Sequence, residues 1–214
     1  MKDLTTGVSW ERFYDGSVEG CSWSHDGLRL AVARDDGYVD LLASDLTLVV
    51  SVALATSAAR SVAWSDDDQL LVAGAYDGGI HLISRNGVIL KSLRDGRFWP
   101  RAVAVRGSLI AVGSFWSAAH ILDLTTLAEV SSPSDPTDGP NAICSTGNGR
   151  ILLGTDSGLV VDTSLYSDGS DANSVTFVVS QSPVLSVTAS SDGSWASNYA
   201  GHVISVFNPM LGSE

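Results

Sequence analysis

The sequence predicts an all-β protein made of consecutive copies of one four-stranded unit, and three observations carry that expectation. The first is a period. Trp23 and Trp64 stand 41 residues apart, and the same step takes Leu30 to Leu71, Ala33 to Gly74, Gly37 to Gly78 and Leu41 to Leu82. Self-similarity at a fixed step of about 20–50 residues marks a repeat architecture. The second is punctuation. Eight Asp-Gly pairs begin at Asp15, Asp26, Asp36, Asp77, Asp95, Asp138, Asp168 and Asp192. Between apolar runs they signal hairpins, with a type I′ turn requiring φ > 0 at both central residues. The third is residue choice. The chain holds 20 Asp against four Glu, and its only lysines are Lys2 and Lys91. Asp favours turns and Glu favours helices, so the imbalance leans away from a helical protein.

Five copies fit within a single domain spanning 1–214, at approximately 18–58, 59–99, 100–139, 140–181 and 182–208. The first two align through Cys21-Ser22-Trp23-Ser24-His25-Asp26-Gly27 and Val62-Ala63-Trp64-Ser65-Asp66-Asp67-Asp68. The third starts at Arg101-Ala102-Val103 and runs two residues shorter through Ala111-Val112-Gly113 and His120-Ile121-Leu122. The fourth passes from Asn141-Ala142-Ile143 through Leu152-Leu153-Gly154 to Gly158-Leu159-Val160. The fifth carries Ser191-Asp192-Gly193, Trp195-Ala196, Gly201 and Val203 to Phe207. Each copy reads as strands a to d. Segments such as Leu70-Leu71-Val72-Ala73 and Ile151-Leu152-Leu153 are apolar on both faces, which suits a sheet packed between two other sheets. Fourth strands are expected at Leu46 to Val52, Val88 to Leu93, Leu127 to Val130 and Val175 to Val179. Repeat five lacks one, while Val8 to Tyr14 is a spare strand ahead of repeat one. Pairing the two closes a ring and removes two open sheet edges.

Across essentially the whole chain this pattern resembles the WD-repeat β-propeller family. The resemblance rests on Trp23-Ser24-His25-Asp26-Gly27, Trp64-Ser65-Asp66-Asp67-Asp68 and Ser190-Ser191-Asp192-Gly193, which are similar to the family's turn between strands a and b. Asp36-Gly37, Asp77-Gly78 and Ser157-Gly158 stand where the family has its Asp-Gly before strand c. The family's Gly-His dipeptide before each repeat is absent. Its Trp-Asp ending is replaced by Leu42-Ala43, Ile83-Ser84, Leu122-Asp123 and Phe207-Asn208. The resemblance implies a β-propeller of five four-stranded antiparallel blades, with the N-terminal strand closing the last blade.

Several function classes lose their footing in the composition. The formal charge of −12 supplies no electrostatic footprint for nucleic acid or an anionic membrane. The longest uncharged run, Leu46 to Ala59, is too short and too polar to span a bilayer. An export signal is not expected from Met1-Lys2-Asp3, and the cytoplasm is the expected location. Cys21 and Cys144 make neither a disulfide framework nor a metal cluster. Cys21 aligns with Val62 and Val103, and is expected to behave as a small core hydrophobe. The four histidines, His25, His81, His120 and His202, are dispersed among the repeats, so no metal site is expected. Asp66-Asp67-Asp68 reads as a solvated turn. Asp168-Gly169-Ser170-Asp171-Ala172-Asn173 lacks the spacing of a calcium loop, and Gly147-Asn148-Gly149 lacks that of a phosphate cradle. Some five-bladed propellers hydrolyse glycosides with paired carboxylates, but the only Glu here are Glu11, Glu19, Glu129 and Glu214 and the loops are short for a substrate cleft, so that reading is weak. No catalytic residue and no cofactor is expected. Trp23, Trp64 and Trp195 are expected to be packing residues.

What remains is a surface. In a propeller the b–c turns and d–a loops gather on one face around the channel. There the sequence places Arg34, Arg60, Tyr76, Arg97, Phe98, Trp99, Arg101, Phe115, Trp116 and Tyr199. Arg60 and Arg101 are equivalent in the repeats, and Glu19 and Asn141 hold the same place in two others. Tyr, Trp and Arg are the residue types enriched at binding hot spots. The expected function is a non-enzymatic scaffold holding a protein or peptide, monomeric if the ring closes on itself. The alternatives are a lectin-like glycan binder, or a partial propeller completed by a partner or by self-association.

Overall fold

In a computed structural model of the chain, every regular element among the described residues is a β-strand. The structure describes residues 7, 9–54, 57–97, 99–115, 119–131, 139–146, 150–164, 175–178, 181–190, 196–200 and 203–207. Sheet 1 contains β1 (Val18–Trp23), β2 (Arg29–Arg34), β3 (Tyr38–Ala43) and β4 (Leu48–Ala53). Sheet 2 contains β5 (Ala59–Trp64), β6 (Leu70–Ala75), β7 (Gly79–Ser84) and β8 (Ile89–Arg94). Sheet 3 contains β9 (Pro100–Arg106), β10 (Leu109–Ser114), β11 (His120–Asp123) and β12 (Glu129–Ser131). Sheet 4 contains β13 (Pro140–Ser145), β14 (Arg150–Thr155), β15 (Leu159–Ser164) and β16 (Val175–Val178). Sheet 5 has three strands among the described residues, β17 (Val184–Ala189), β18 (Ala196–Ala200) and β19 (Val203–Phe207). Each is an antiparallel meander in chain order.

The turns differ from the expected type I′. Gly27, Gly37 and Gly78 take positive φ, but the Asp before each does not. Gly27 N–H donates to the Ser24 carbonyl at 2.9 Å, closing the turn. Within it the Asp26 carboxylate accepts from Ser24 Oγ at 2.7 Å and from Leu28 N–H at 2.9 Å. These contacts, the Ser24 hydroxyl first, pull the Asp26 carboxyl down to about 2. An acceptor side chain that turns the chain locally leaves only the following residue in the left-handed region. In sheet 2 that residue is Asp68, with φ 57°. Leu46 and Leu127, expected to begin fourth strands, instead occupy the left-handed position of the c–d turns, at φ 66° and 58°.

The core lies between sheets, because successive residues of one strand point to opposite faces. Leu41, Leu71 and Ile83 are buried between sheets 1 and 2, and Ile80, Ile110 and Leu122 between sheets 2 and 3. Ile121, Ile151 and Leu153 fill the space between sheets 3 and 4, while Leu152, Val160 and Val184 join sheets 4 and 5. Ile151 and Leu152 thus serve different interfaces, which is why these strands are apolar on both faces. The close approach of sheets needs small residues on the second strand. A Cβ added at Gly113 would lie 2.8 Å from the Pro140 carbonyl oxygen of the next sheet.

A row of buried polar side chains crosses the third strands. Asp40 accepts from Ser51 Oγ at 2.5 Å. His81 Nδ1 meets Ser92 Oγ at 2.9 Å, and His120 Nδ1 meets Glu129 Oε1 at 2.6 Å. Burial pushes His81 below the usual histidine range against the pull of Asp77, and Arg94 adds to the push.

Three expectations are corrected here. Asp68 is no solvated residue: it is buried, and it accepts from His25 N–H at 2.7 Å, His25 Nδ1 at 2.8 Å and Asp26 N–H at 2.9 Å. It clips the sheet 1 turn to the sheet 2 turn. Cys21 is exposed, and Trp23 is 38% exposed where its counterpart Trp64 is 3%. The reason is positional, since Val62 and Trp64 are covered by sheet 1, while among the described residues no other sheet packs on β1 from the opposite side. Finally, residues 9–14 form no strand beyond an isolated bridge at Ser9. That segment runs along sheet 1, with Arg12 reaching the Leu46 carbonyl, Arg34 lying 5.5 Å from the centre of the Tyr14 ring, and Ser17 N–H donating to Asp35 at 2.9 Å.

Candidate binding face

The innermost strands β1, β5, β9, β13 and β17 line one cavity of about 290 Å³. Each carries a β-bulge near its start. The register shifts fall between Val18 and Gly20, Ala59 and Ser61, Pro140 and Ala142, and Val184 and Ser186, and on β9 between Pro100 and Ala102. The residues left out of the ladder are therefore Glu19, Arg60, Arg101, Asn141 and Leu185. A bulge re-aims the extra side chain, and all five border the cavity.

Four of them, Glu19, Arg60, Arg101 and Asn141, join the b–c turns in one connected rim. Arg60 pairs with Glu19, and its guanidinium lies 5.7 Å from the centre of the Tyr76 ring. Tyr76 stacks on Trp99 at 6.2 Å between centroids. Trp99 N–H donates to Ser114 Oγ at 2.8 Å, and its carbonyl accepts Phe115 N–H at 2.9 Å. Phe115 lies 4.3 Å beneath the Arg101 guanidinium. Arg101 in turn pairs with Asp156 at 3.2 Å, and Asp156 also accepts from Asn141 Nδ2. Each rim arginine is thus neutralised by a carboxylate and laid over an aromatic ring, and both contacts hold it in one orientation. Trp99 remains 45% exposed at the mouth.

Of the residues singled out in the sequence, the structure brings Arg60, Tyr76, Trp99, Arg101 and Phe115 together. Arg34 sits apart, between Tyr14 and Tyr38, and pairs with Asp36 and Asp40. Arg97 points to the outer strand, where it pairs with Asp95 at 2.7 Å and Glu129 at 3.2 Å. Phe98 and Trp116 lie outside the described residues, as does the side chain of Tyr199, whose β18 backbone pairs with Ser186 of β17. The segments Gly147-Asn148-Gly149 and Asp168 to Asn173, and Trp195, also lie outside them. Sequence reasoning left Glu19, Asn141, Asp156 and Leu185 out of the site. The repeat alignment already placed Glu19 and Asn141 level with the two arginines, but the bulge that turns them inward leaves no mark in composition. Cys144 packs between sheets 4 and 5, where burial pushes its thiol up. Among the described residues no group of three or more His, Cys, Asp or Glu is placed to hold a metal ion.

Comparison with known proteins bears on the fold. The family model for the WD domain, G-beta repeat, matches residues 49–84, from within β4 to the end of β7. No curated protein matches the chain. Among solved structures, the chain is similar to the β-propeller domain of Cps50 (Swd1) from Myceliophteria thermophila. They share 17% identity and a TM-score of 0.79 over 92% of this chain and 67% of that one. It is also similar to a chain of the Mitotic Checkpoint Complex, with 18% identity and a TM-score of 0.82 over 98% of this chain and 68% of that one. At such identities the likeness speaks for the fold alone. With the repeated turns, the meander sheets and the shared cavity, the likeness gives this chain the β-propeller fold, with a WD-type repeat matched at residues 49–84.

Proposed function

We propose that the chain is a non-enzymatic scaffold that holds a protein or peptide on the face carrying the Arg60–Trp99–Arg101 rim. The reading takes the five sheets as five blades around one channel. One observation carries it: four bulged residues and three aromatic rings form a single connected surface beside the channel. Fixed arginines and an exposed tryptophan supply binding area at little cost in side-chain entropy. One solved relative is described as part of a complex, which accords with a protein partner. A fold alone does not confer a function, so the test is direct. Affinity capture from native lysate is compared between the parent protein and a Trp99→Ala/Arg101→Ala double variant that keeps its thermal stability. Loss of the same bound proteins from the variant supports the proposal. Unchanged capture removes the rim from it, and useful turnover of a glycoside or phosphoester removes the scaffold reading itself.

A second reading, a partial propeller completed from outside, is favoured by the uncovered surface of β1.

A further inference from the structure

We propose that Arg60 and Arg101 together hold the free carboxylate at the end of a peptide chain, in the cavity that both of them border. The proposal rests on the rim being the binding face, and it names the chemistry of the partner held there.

The two arginines are neutralised in charge but not used up as donors. Arg60 reaches Glu19 through Nη1 alone. Arg101 likewise reaches Asp156 through Nη1 alone, at 3.5 and 3.2 Å from its two carboxylate oxygens. A guanidinium carries five N–H donors in a planar fork. Its Nε and Nη2 form one edge of that fork, and in neither residue do they meet an acceptor among the described residues. None of these nitrogens is buried, so the edge opens to solvent. Elsewhere the same edge is spent inside the protein. Arg97 places Nε and Nη2 on Asp95 at 2.9 and 2.7 Å, and Arg150 places them on the carboxylate and carbonyl of Asp162 at 2.6 and 3.1 Å. At the rim the flat faces are occupied as well, by Tyr76 for Arg60 and by Phe115 for Arg101. Each arginine therefore offers one fixed, open edge.

The two residues are neighbours. They hold the same bulged position on β5 and β9, strands that pack directly on one another, and both border the same cavity. Along the inner strands the bulged residues run Glu19, Arg60, Arg101, Asn141 and Leu185. One carboxylate there stands against two guanidiniums, in a chain whose formal charge is −12.

The class of ligand follows from shape, charge and space. Two coplanar N–H donors match a carboxylate through two parallel hydrogen bonds. Glu19 and Asp156 already face these cations, so a singly charged group meets less repulsion than a dianionic phosphate. The cavity of about 290 Å³ lies at the small end of ligand sites, about 300–1,000 Å³. It has room for a chain end to enter, and little for a segment to pass in and out again. Leu185, 56% exposed, borders the same cavity and gives the terminal side chain an apolar wall.

The test is a selection from random nonapeptides displayed with free C-termini, followed by calorimetry on the enriched peptides in their acid and C-terminally amidated forms. The parent is compared with Arg60→Gln, Arg101→Gln, Arg101→Lys and the exposed outer-strand control Lys91→Gln, after thermal melts show each to be folded. Amidation should weaken binding at least about tenfold, the loss expected for one hydrogen bond to a charged group. Either glutamine variant should do the same to the acid form and abolish the difference between acid and amide. Arg101→Lys keeps the charge but not the fork, so it should stay weak, while Lys91→Gln should match the parent. A selection that enriches nothing overturns the proposal, as do enriched peptides that bind equally well when amidated. Full affinity in Arg101→Lys reduces the contact to charge alone and overturns the fork. Displacement of the peptide by an equal concentration of inorganic phosphate shows a general anion site and overturns the chain-end reading. These failures leave the rim standing wherever lysate capture still depends on Trp99 and Arg101. Enriched peptides that bind the Trp99→Ala/Arg101→Ala variant as well as the parent remove the rim together with the proposal.

Discussion

Replacing Asp68 by glycine sets two effects of known sign against each other. Asp68 sits at φ 57°, a region where a side chain is strained and glycine is not, so relief of the backbone favours the variant by about 1 kcal/mol. Against this, the carboxylate accepts from the two backbone N–H groups of His25 and Asp26 and from the His25 ring. A hydrogen bond to a charged group contributes about 1.5–3 kcal/mol, less where one partner is as open to water as the His25 side chain. Counting the two backbone bonds and discounting the third, the contacts win. Asp68→Gly should lower the unfolding free energy by at least about 2 kcal/mol. In urea denaturation followed by tryptophan fluorescence, this moves the midpoint down by about 1 M at unchanged slope. Asp68→Asn keeps tolerance of the left-handed region and one acceptor oxygen, and should fall between the two. Acid adds a second check. Burial raises the Asp68 carboxyl, but the His25 and Asp26 donors outweigh it and hold the group below its ordinary range. Its contribution is therefore present above the unfolded value near about 4 and lost as pH falls through the lowered folded value. The acid limb of the stability curve should flatten in Asp68→Gly. A variant as stable as the parent, or more so, would show that the turn-to-turn clip contributes nothing and that backbone strain alone matters.

Two further outcomes test the packing. His81 is buried neutral, with Nδ1 on Ser92 and Nε2 without a hydrogen-bond partner, among Asp77 and Arg94. Its folded value is lowered, so stability should be full above about pH 6.5 and decline as pH falls below it; thermal melts from pH 8 to 5 should lose that slope in His81→Gln, and an unchanged slope refutes the assignment. Trp64→Ala should cost about 3–5 kcal/mol as a buried aromatic truncation, while Trp23→Ala, half-open on β1, should cost much less in dilute protein; equal losses by chemical denaturation would mean that β1 is covered after all.

The repeat made much of the architecture legible. A step of 41 residues ties Trp23 to Trp64, and chain-order meanders follow because short turns join neighbouring antiparallel strands. The rim was legible in part. Aligning repeats put Arg60 and Arg101 at one place with Glu19 and Asn141, and put Tyr76, Trp99 and Phe115 in adjoining loops. Arg34 and Arg97 shared the same loops but turned elsewhere, drawn by Asp36 and Asp40 in one case and by Asp95 and Glu129 in the other. Loop membership is a property of the repeat, whereas the direction of a long side chain depends on which carboxylate stands nearest in space.

The sequence by itself determined the period, the strand content and the residue types available at the channel mouth, because each is written in local pattern and spacing. Only the tertiary structure decided which equivalent positions are equivalent in fact. Val18, Cys21 and Trp23 repeat the pattern of Ala59, Val62 and Trp64, yet one row is open and the other buried. Burial belongs to a pair of sheets, and no single repeat carries the sheet that covers it. The same holds for Asp68, whose three donors lie more than forty residues earlier in the chain.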